Sequence, residues 1–252
     1  MATANRGLSG NSVTWLGHST AAIRLDGLLV ATDPVLRRRV AHLRRKHPVD
    51  LAALDGLGAV VVSHVHYDHL DLRSLSCLDP GVPVIVPVGA GALLRRRGCR
   101  DVREVEAGDE LEIGSVRIRA THAEHDAGRR PGTRGTAAVG FVLAATQSVY
   151  FAGDTDLFDG MASLGPVDVA LLPVAGWGPR LPPGHLDPAR AAEAATLIRP
   201  RIAIPIHWGT YAPWRPSPGD DTPALEFATK AATLAPDVEV RVLRPGDTTS
   251  FD

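Results

Sequence analysis

Residues 63–71 read SHVHYDHLD, a stretch that holds three of the chain's ten histidines within six positions, at His64, His66 and His69, with Asp68 among them. Neutral imidazole and ionised carboxylate are the groups that bind zinc and similar divalent cations, at roughly 2.0–2.2 Å. His64 and His66 are two apart, so at the end of a strand they face the same way. Asp68 and His69 are adjacent and point in different directions, so one turn can serve a second ion. Paired metals roughly 3.5–4 Å apart are a common design for hydrolysis. The competing reading is a solvated loop, which would leave three imidazoles contending for partners in one turn. Further candidates are Asp154 in FAGDTD, His207 in IPIHW, His122 and His125 in THAEHD, His18 in GHST and His185 in PGHLDP. Taken alone, Asp154 reads equally well as a helix N-cap, with Asp156 beside it, and His207 as an ordinary buried histidine.

Such side chains need a rigid frame. SVTWLG (12–17), AAIRLDG (21–27) and LLVATD (28–33) read as three meandering strands with a hairpin turn at Asp26-Gly27. GAVVVSH (58–64) is a continuous β-branched run, the pattern of a strand covered on both faces. VPVIVP (82–87) repeats it after a short helix at 70–78, and residues 89–97 form another helix stopped by Gly98. Residues 109–122 alternate around Gly114 as a hairpin, and strands follow at 137–145, 148–154, 168–174, 201–207 and 238–243. DPARAAEAATLIRP (187–200) is a helix capped by Asp187 with Pro188 at its first position, and 222–235 is a second amphipathic helix. Many strands with few helices predict two packed sheets with helices outside. His64, Asp154 and His207 each fall at the end of a hydrophobic strand, where loops held by a rigid scaffold carry catalytic groups.

Composition narrows the field. A chain of 252 residues with 44% hydrophobic content and no linker or repeat predicts one domain spanning 1–252. A net charge of −1 gives no footing for nucleic acid as a partner. Two cysteines, Cys77 and Cys99, make no disulfide framework and suit a reducing compartment. No apolar leader and no run of 18 apolar residues is present, so a cytoplasmic location without a transmembrane segment is expected. Lys46 and Lys230 are the only lysines among 27 basic residues, which reflects genome composition more than function.

HVHYDH (64–69) resembles the His-x-His-x-Asp-His signature of the metallo-β-lactamase superfamily. FAGDTD (151–156) resembles its bridging-aspartate motif, IPIHWGTY (204–211) its last histidine motif, and THAEHDAGR (121–129) the segment with the remaining histidine. WLGHST (15–20) and TDPVL (32–36) are similar to the branch holding N-acyl-phosphatidylethanolamine-hydrolysing phospholipase D and the ascorbate-6-phosphate lactonase-like proteins. The resemblance implies an α/β fold, a four-layered αββα sandwich with a dinuclear metal site at one edge. It implies His64, His66 and His125 on one cation, Asp68, His69 and His207 on the other, and Asp154 bridging. His125 is preferred to His122 because Gly128-Arg129 follows it as in the branch. His122, His18 and Arg129 are then expected near the ligands or substrate, and His185 and Asp68 as catalytic groups.

The chemistry expected is attack by a hydroxide made available at neutral pH between two divalent ions, zinc by default and manganese as the alternative, on a phosphodiester, lactone or other small ester. The segment LRRRVAHLRRKH (36–47), with six cationic residues, reads either as an electropositive rim near the mouth or as a solvated helix. As a rim, with Arg129, Arg130 and Arg134 close to His125, it would favour an anionic small molecule or peripheral contact with lipid. Trp177, Trp208 and Trp214 read either as pocket lining or as core. An oligomer is left open. The rival class is an iron-binding redox or oxygen-handling protein on the same fold. Its flavodiiron members carry a flavodoxin domain that these residues do not contain, so hydrolysis is the expectation.

Overall fold

The computed structural model describes residues 10–126, 128, 136–175, 181–212 and 221–252. Two seven-stranded sheets face one another. The first runs in the order Thr248–Ser250, Ser12–Gly17, Thr20–Leu25, Leu28–Thr32, Ala59–Val61, Val84–Pro87 and Val102–Val105. Its first four strands pair antiparallel and the rest parallel. The second runs Glu239–Val240, Ile202–Ile206, Val169–Pro173, Ser148–Phe151, Val139–Ala144, Val116–His122 and Glu110–Ile113. The Asp26-Gly27 turn has φ of 45° and 86°, the paired left-handed conformation that suits a two-residue hairpin to strand twist.

The layers follow from side-chain alternation. Along 59–62, Ala59 and Val61 enter the core between the sheets, while Val60 and Val62 pack outward against Leu70, Leu75 and Leu94 near the short helices Leu72–Leu75 and Gly91–Arg95. Facing them across the inter-sheet core are Ile118, Phe141 and Phe151. Helices Pro188–Ile198 and Thr222–Leu234 pack on each other and cover the second sheet. The result is the expected αββα sandwich.

Several boundaries differ from the sequence reading. The helix expected at 70–78 is regular only over Leu72–Leu75, because the Ser76 hydroxyl and Cys77 thiol bond the Arg73 carbonyl and compete with the backbone ladder. The helix at 89–97 contracts to Gly91–Arg95, and the strand at 238–243 to Glu239–Val240. Segment 36–47 is not a helix. Strands Arg39–Val40 and Leu43–Arg45 make a hairpin around Ala41-His42, and Tyr211–Ala212 adds a third strand. That pairing with a distant segment overrides local propensity.

Candidate metal centre

The loops after strands Leu28–Thr32, Ala59–Val61, Ser148–Phe151 and Ile202–Ile206, and the loop joining the first two strands, converge at one edge of the sandwich. After Ser63 the chain makes a helical turn in which the His66 carbonyl accepts from the amides of His69 and Leu70, at 3.1 and 2.8 Å. The turn points His64, His66, Asp68 and His69 at a common space. Backbone strain gathers here. His18, Asp33 and His207 have φ of 57°, 35° and 64°, conformations that cost non-glycine residues about 1–3 kcal/mol each. The His207 amide donates to the His18 carbonyl at 3.0 Å, tying two of these turns together.

His64 Nε2 and His125 Nε2 lie 3.0 and 3.2 Å from His66 Nδ1. His18, Asp68, His69 and His207 form a second group whose donor atoms all fall within 4.8 Å. Asp154 stands between the groups. Its Oδ2 is 4.0 Å from His64 Nε2, 3.2 Å from His69 Nε2 and 3.3 Å from His185 Nε2, and its Oδ1 is 3.2 Å from His207 Nε2. His64, His69, His207 and Asp154 are buried.

The outer nitrogens of four imidazoles are committed. His69 Nδ1 donates to Asp33 at 2.6 Å, His125 Nδ1 to the Gly184 carbonyl at 2.8 Å, and His207 Nδ1 to the Ala175 carbonyl at 2.6 Å. The Ser63 hydroxyl donates to Asp33 at 2.6 Å, so at 2.9 Å it accepts from His64 Nδ1. In the neutral tautomers each inner Nε2 is therefore a bare lone pair: those of His69 and His207 face one another at 3.3 Å and Asp154 at 3.2 Å, and those of His64 and His125 face His66 Nδ1 at 3.0 and 3.2 Å. Asp154 Oδ1 is buried without a hydrogen bond. Positive charge relieves such crowding, whether from a protonated imidazole or from a bound cation. The donor set fits divalent cations, and orientation of each ligand by a fixed outer acceptor is the usual support of such sites.

The protonation balance agrees. Burial, with neighbouring imidazoles, pushes His64 well below its ordinary value, His18 down to about 3 and His125 down to about 4. Burial alone would raise Asp154 and Asp68, but the surrounding imidazoles hold both carboxyls well below the usual range. His69 and His185 rise despite burial, because carboxylates face them: Asp154 and Asp68 for His69, and Asp154 for His185. The site thus keeps its carboxylates ionised and most of its imidazoles neutral, the forms that ligate metals.

Over the cluster opens a cavity of about 620 Å³. Val40 and Leu43 from the hairpin, Tyr67, Pro182 and Pro183 form its apolar wall, and His66, Asp68, His125, Asp154, His185 and His207 its floor.

All seven predicted ligand positions are brought together, with His18 and His185 beside them. His18 Nε2 bonds Asp68 Oδ2 at 3.0 Å, and its ring lies 4.0 Å from that of His207. His122 is corrected. It is exposed at the strand end, paired with Glu124 at 3.3 Å and set against Phe158, outside the cluster. The chain then turns inward because the Glu124 amide bonds Thr155 Oγ1 and the Glu124 carbonyl accepts from the Asp156 amide, which carries His125 to the centre. Trp208 is core, stacked on Trp15 at 4.9 Å. Arg129, Arg130, Arg134, Trp177 and Trp214 lie outside the described residues. Sequence reasoning missed Asp33 as a site residue, although LLVATD ends a strand as VVVSH and IAIPIH do. It also missed Thr210, whose hydroxyl accepts from the His18 amide at 2.6 Å.

Comparisons with known proteins give the family and the fold. Residues 29–208 match the family model described as a beta-lactamase superfamily domain. A UPF0173 metal-dependent hydrolase of Methanopyrus kandleri is 32% identical, over 93% of this chain and 97% of that protein. N-acyl-phosphatidylethanolamine-hydrolyzing phospholipase D 1 of Caenorhabditis elegans is 32% identical over 81% of this chain and 65% of that protein. The chain spans 61% of the length of Mycobacterium tuberculosis relatives with which it shares 35% identity. Among solved structures, Igni18, a metallo hydrolase from Ignicoccus hospitalis, superposes with a TM-score of 0.74 at 26% identity, covering 96% of this chain and 98% of that one.

Proposed function

This chain belongs to the beta-lactamase superfamily, and we propose that it is a metal-dependent hydrolase that cleaves a small anionic phosphodiester, lactone or ester on a pair of divalent cations. The observation that carries the reading is the meeting of bare imidazole nitrogens with a buried, unpartnered carboxylate oxygen of Asp154. His64, His66 and His125 would hold one cation, and Asp68, His69 and His207 the other, with Asp154 touching both groups. Zinc suits this nitrogen and oxygen set, with manganese as the alternative. When bound, the cations supply Lewis-acid polarisation of the scissile group and an activated water near neutral pH.

The chain's own residues do the rest. Asp33 and the carbonyls of Ala175 and Gly184 fix the imidazole tautomers. His18 orients Asp68, whose carboxylate can also accept a hydrogen bond from the attacking water. His185 borders the cavity, and Asp154 favours its protonated form, so it can donate a proton to the leaving oxygen. The apolar wall shields the reacting centre from bulk water. The nematode relative's name, a phospholipase D, supports a phosphodiester above the other esters. Among the described residues no helix is long and apolar enough to cross a membrane.

The test is turnover of bis-p-nitrophenyl phosphate, a lactone panel and a β-lactam by protein stripped of metal and then reloaded. Restoration of phosphodiester or lactone cleavage by zinc or manganese is expected. Activity that needs iron and consumes oxygen would instead establish the redox alternative.

A further inference from the structure

Arg45 belongs to the arginine-rich hairpin by sequence but not by environment. Side chains alternate along the strand Leu43–Arg45, so Arg44 is exposed while Arg45 is buried beneath the ribbon. Its Nη1 donates to the Leu16 carbonyl and its Nη2 to the Val35 carbonyl, at 2.7 Å each. Leu16 stands two residues before His18, and Val35 two residues after Asp33. One guanidinium therefore fastens the two turns that bring His18 and Asp33 to the candidate centre.

Those turns are under strain. His18 and Asp33 hold φ of 57° and 35°, and such backbone persists only where its surroundings over-determine it. Arg45 is part of those surroundings. A Cβ on Gly17 would stand 2.9 Å from Arg45 Nη1 and 2.9 Å from Thr210 Oγ1, so both press closely on the chain just before His18. The same Thr210 hydroxyl accepts from the His18 amide at 2.6 Å. The register sets Arg45 opposite Tyr211, and cross-strand partners project from the same face of a ribbon. The guanidinium carbon lies 5.2 Å from the centre of the Tyr211 ring, within reach of a cation–π contact. Tyr211 meets the His18 ring edge to face, with centroids 5.1 Å apart. His18 Nε2 then bonds Asp68 Oδ2 at 3.0 Å. A continuous line of contacts thus runs from the buried guanidinium to a carboxylate of the cluster.

We propose, on the reading that Asp68 is a metal ligand, that Arg45 is a positioning residue for the cation that Asp68 holds. It sets the place of His18, and the His18 bond in turn sets the Asp68 carboxylate. Arginine suits this task because its planar fork reaches carbonyls on two separate loops while its face lies against a ring. The lysine ammonium is a point charge that cannot keep both bonds and the stacking contact together. Arg45 reaches the cation only through His18.

A zinc titration against a chromophoric chelator, on protein stripped of metal, tests this through a double-mutant cycle. The variants are Arg45→Lys, which keeps the charge and loses the fork, and His18→Phe, which keeps a ring and loses the bond to Asp68. Asp68→Ala identifies which of the two binding steps belongs to the Asp68 cation. Arg45→Lys is expected to weaken that step roughly tenfold and the other by less than about twofold. In the His18→Phe background the same change is expected to add less than about twofold, because the path through His18 is already cut. Tyr211→Leu removes the ring and keeps Arg45, so it should repeat this pattern, and it carries the test if Arg45→Lys does not fold. Equal weakening of both steps, or an undiminished loss in the His18→Phe background, would make Arg45 a general structural staple and overturn the proposal. So would zinc affinities that neither Arg45→Lys nor Tyr211→Leu alters. Any of these results with two zinc ions bound by the wild type defeats the positioning role alone. A wild type that binds no zinc defeats the metal-centre reading as well.

Discussion

At the scale of single residues, the candidate centre is built from the proposed ligands and from what aims them. Asp33 accepts from the Ser63 amide and hydroxyl and from His69 Nδ1, so one buried carboxylate orients both the serine that holds His64 and the second histidine. Asp33→Asn keeps the size but weakens these bonds, and loss of such support typically costs 10–100-fold in metal affinity or activity. A metal-competition titration should show a weakening of about that size, with the fold retained by circular dichroism. His66→Ala and Asp154→Ala remove proposed ligands outright, and both should abolish turnover and lower bound metal while leaving thermal unfolding cooperative. The histidine-rich turn stood out in the sequence because its residue types and spacing are rare outside metal sites, and Asp154 and His207, ordinary when taken alone, gained meaning only beside it and through the family resemblance. Asp33 was not, since an aspartate before proline at a strand end is ordinary in sequence. Its role exists only once His69 folds back over it from 36 positions away.

At the scale of elements, the question is how loops approach closely enough. Gly153 precedes Asp154 at φ 63°, and a Cβ there would stand 2.4 Å from Ser63 Cβ. Only glycine lets the Asp154 loop meet the His64 loop. Gly153→Ala should therefore cost stability, by about 1–3 kcal/mol from backbone strain alone, and should also reduce turnover by displacing Asp154. Urea unfolding and steady-state kinetics on one preparation would read both effects. A loss of stability with turnover unchanged would show that the loop tolerates the shift. The strands and the two long helices could be read from alternation and from the Asp187 cap, whose carboxylate accepts from the amides of Ala189 and Arg190 at 2.9 Å. The arginine-rich hairpin could not. Charged residues carry no strong period, and the strand character of 39–45 comes from pairing with Tyr211–Ala212, far along the chain. His122 failed as a site residue for a related reason. It lies three positions before His125, and which of the two turns inward is decided by bonds to Thr155 and Asp156 on another strand's loop.

At the scale of the whole molecule, two sheets share one apolar interior, and the candidate metal centre sits where their loops meet at its edge. Phe141 is fully buried in that interior, paired in register with Phe151. Phe141→Ala should lower the unfolding free energy by about 3–5 kcal/mol, read as a fall in urea midpoint. A single transition seen by fluorescence and circular dichroism alike would support one domain, and two separated transitions would divide it. The central claim, that loops from both sheets close on a pair of cations, is tested most directly by counting the metal. Elemental analysis of protein dialysed against zinc should give two ions per chain, falling in Asp154→Ala together with turnover. Full turnover by protein with no bound metal would contradict the account.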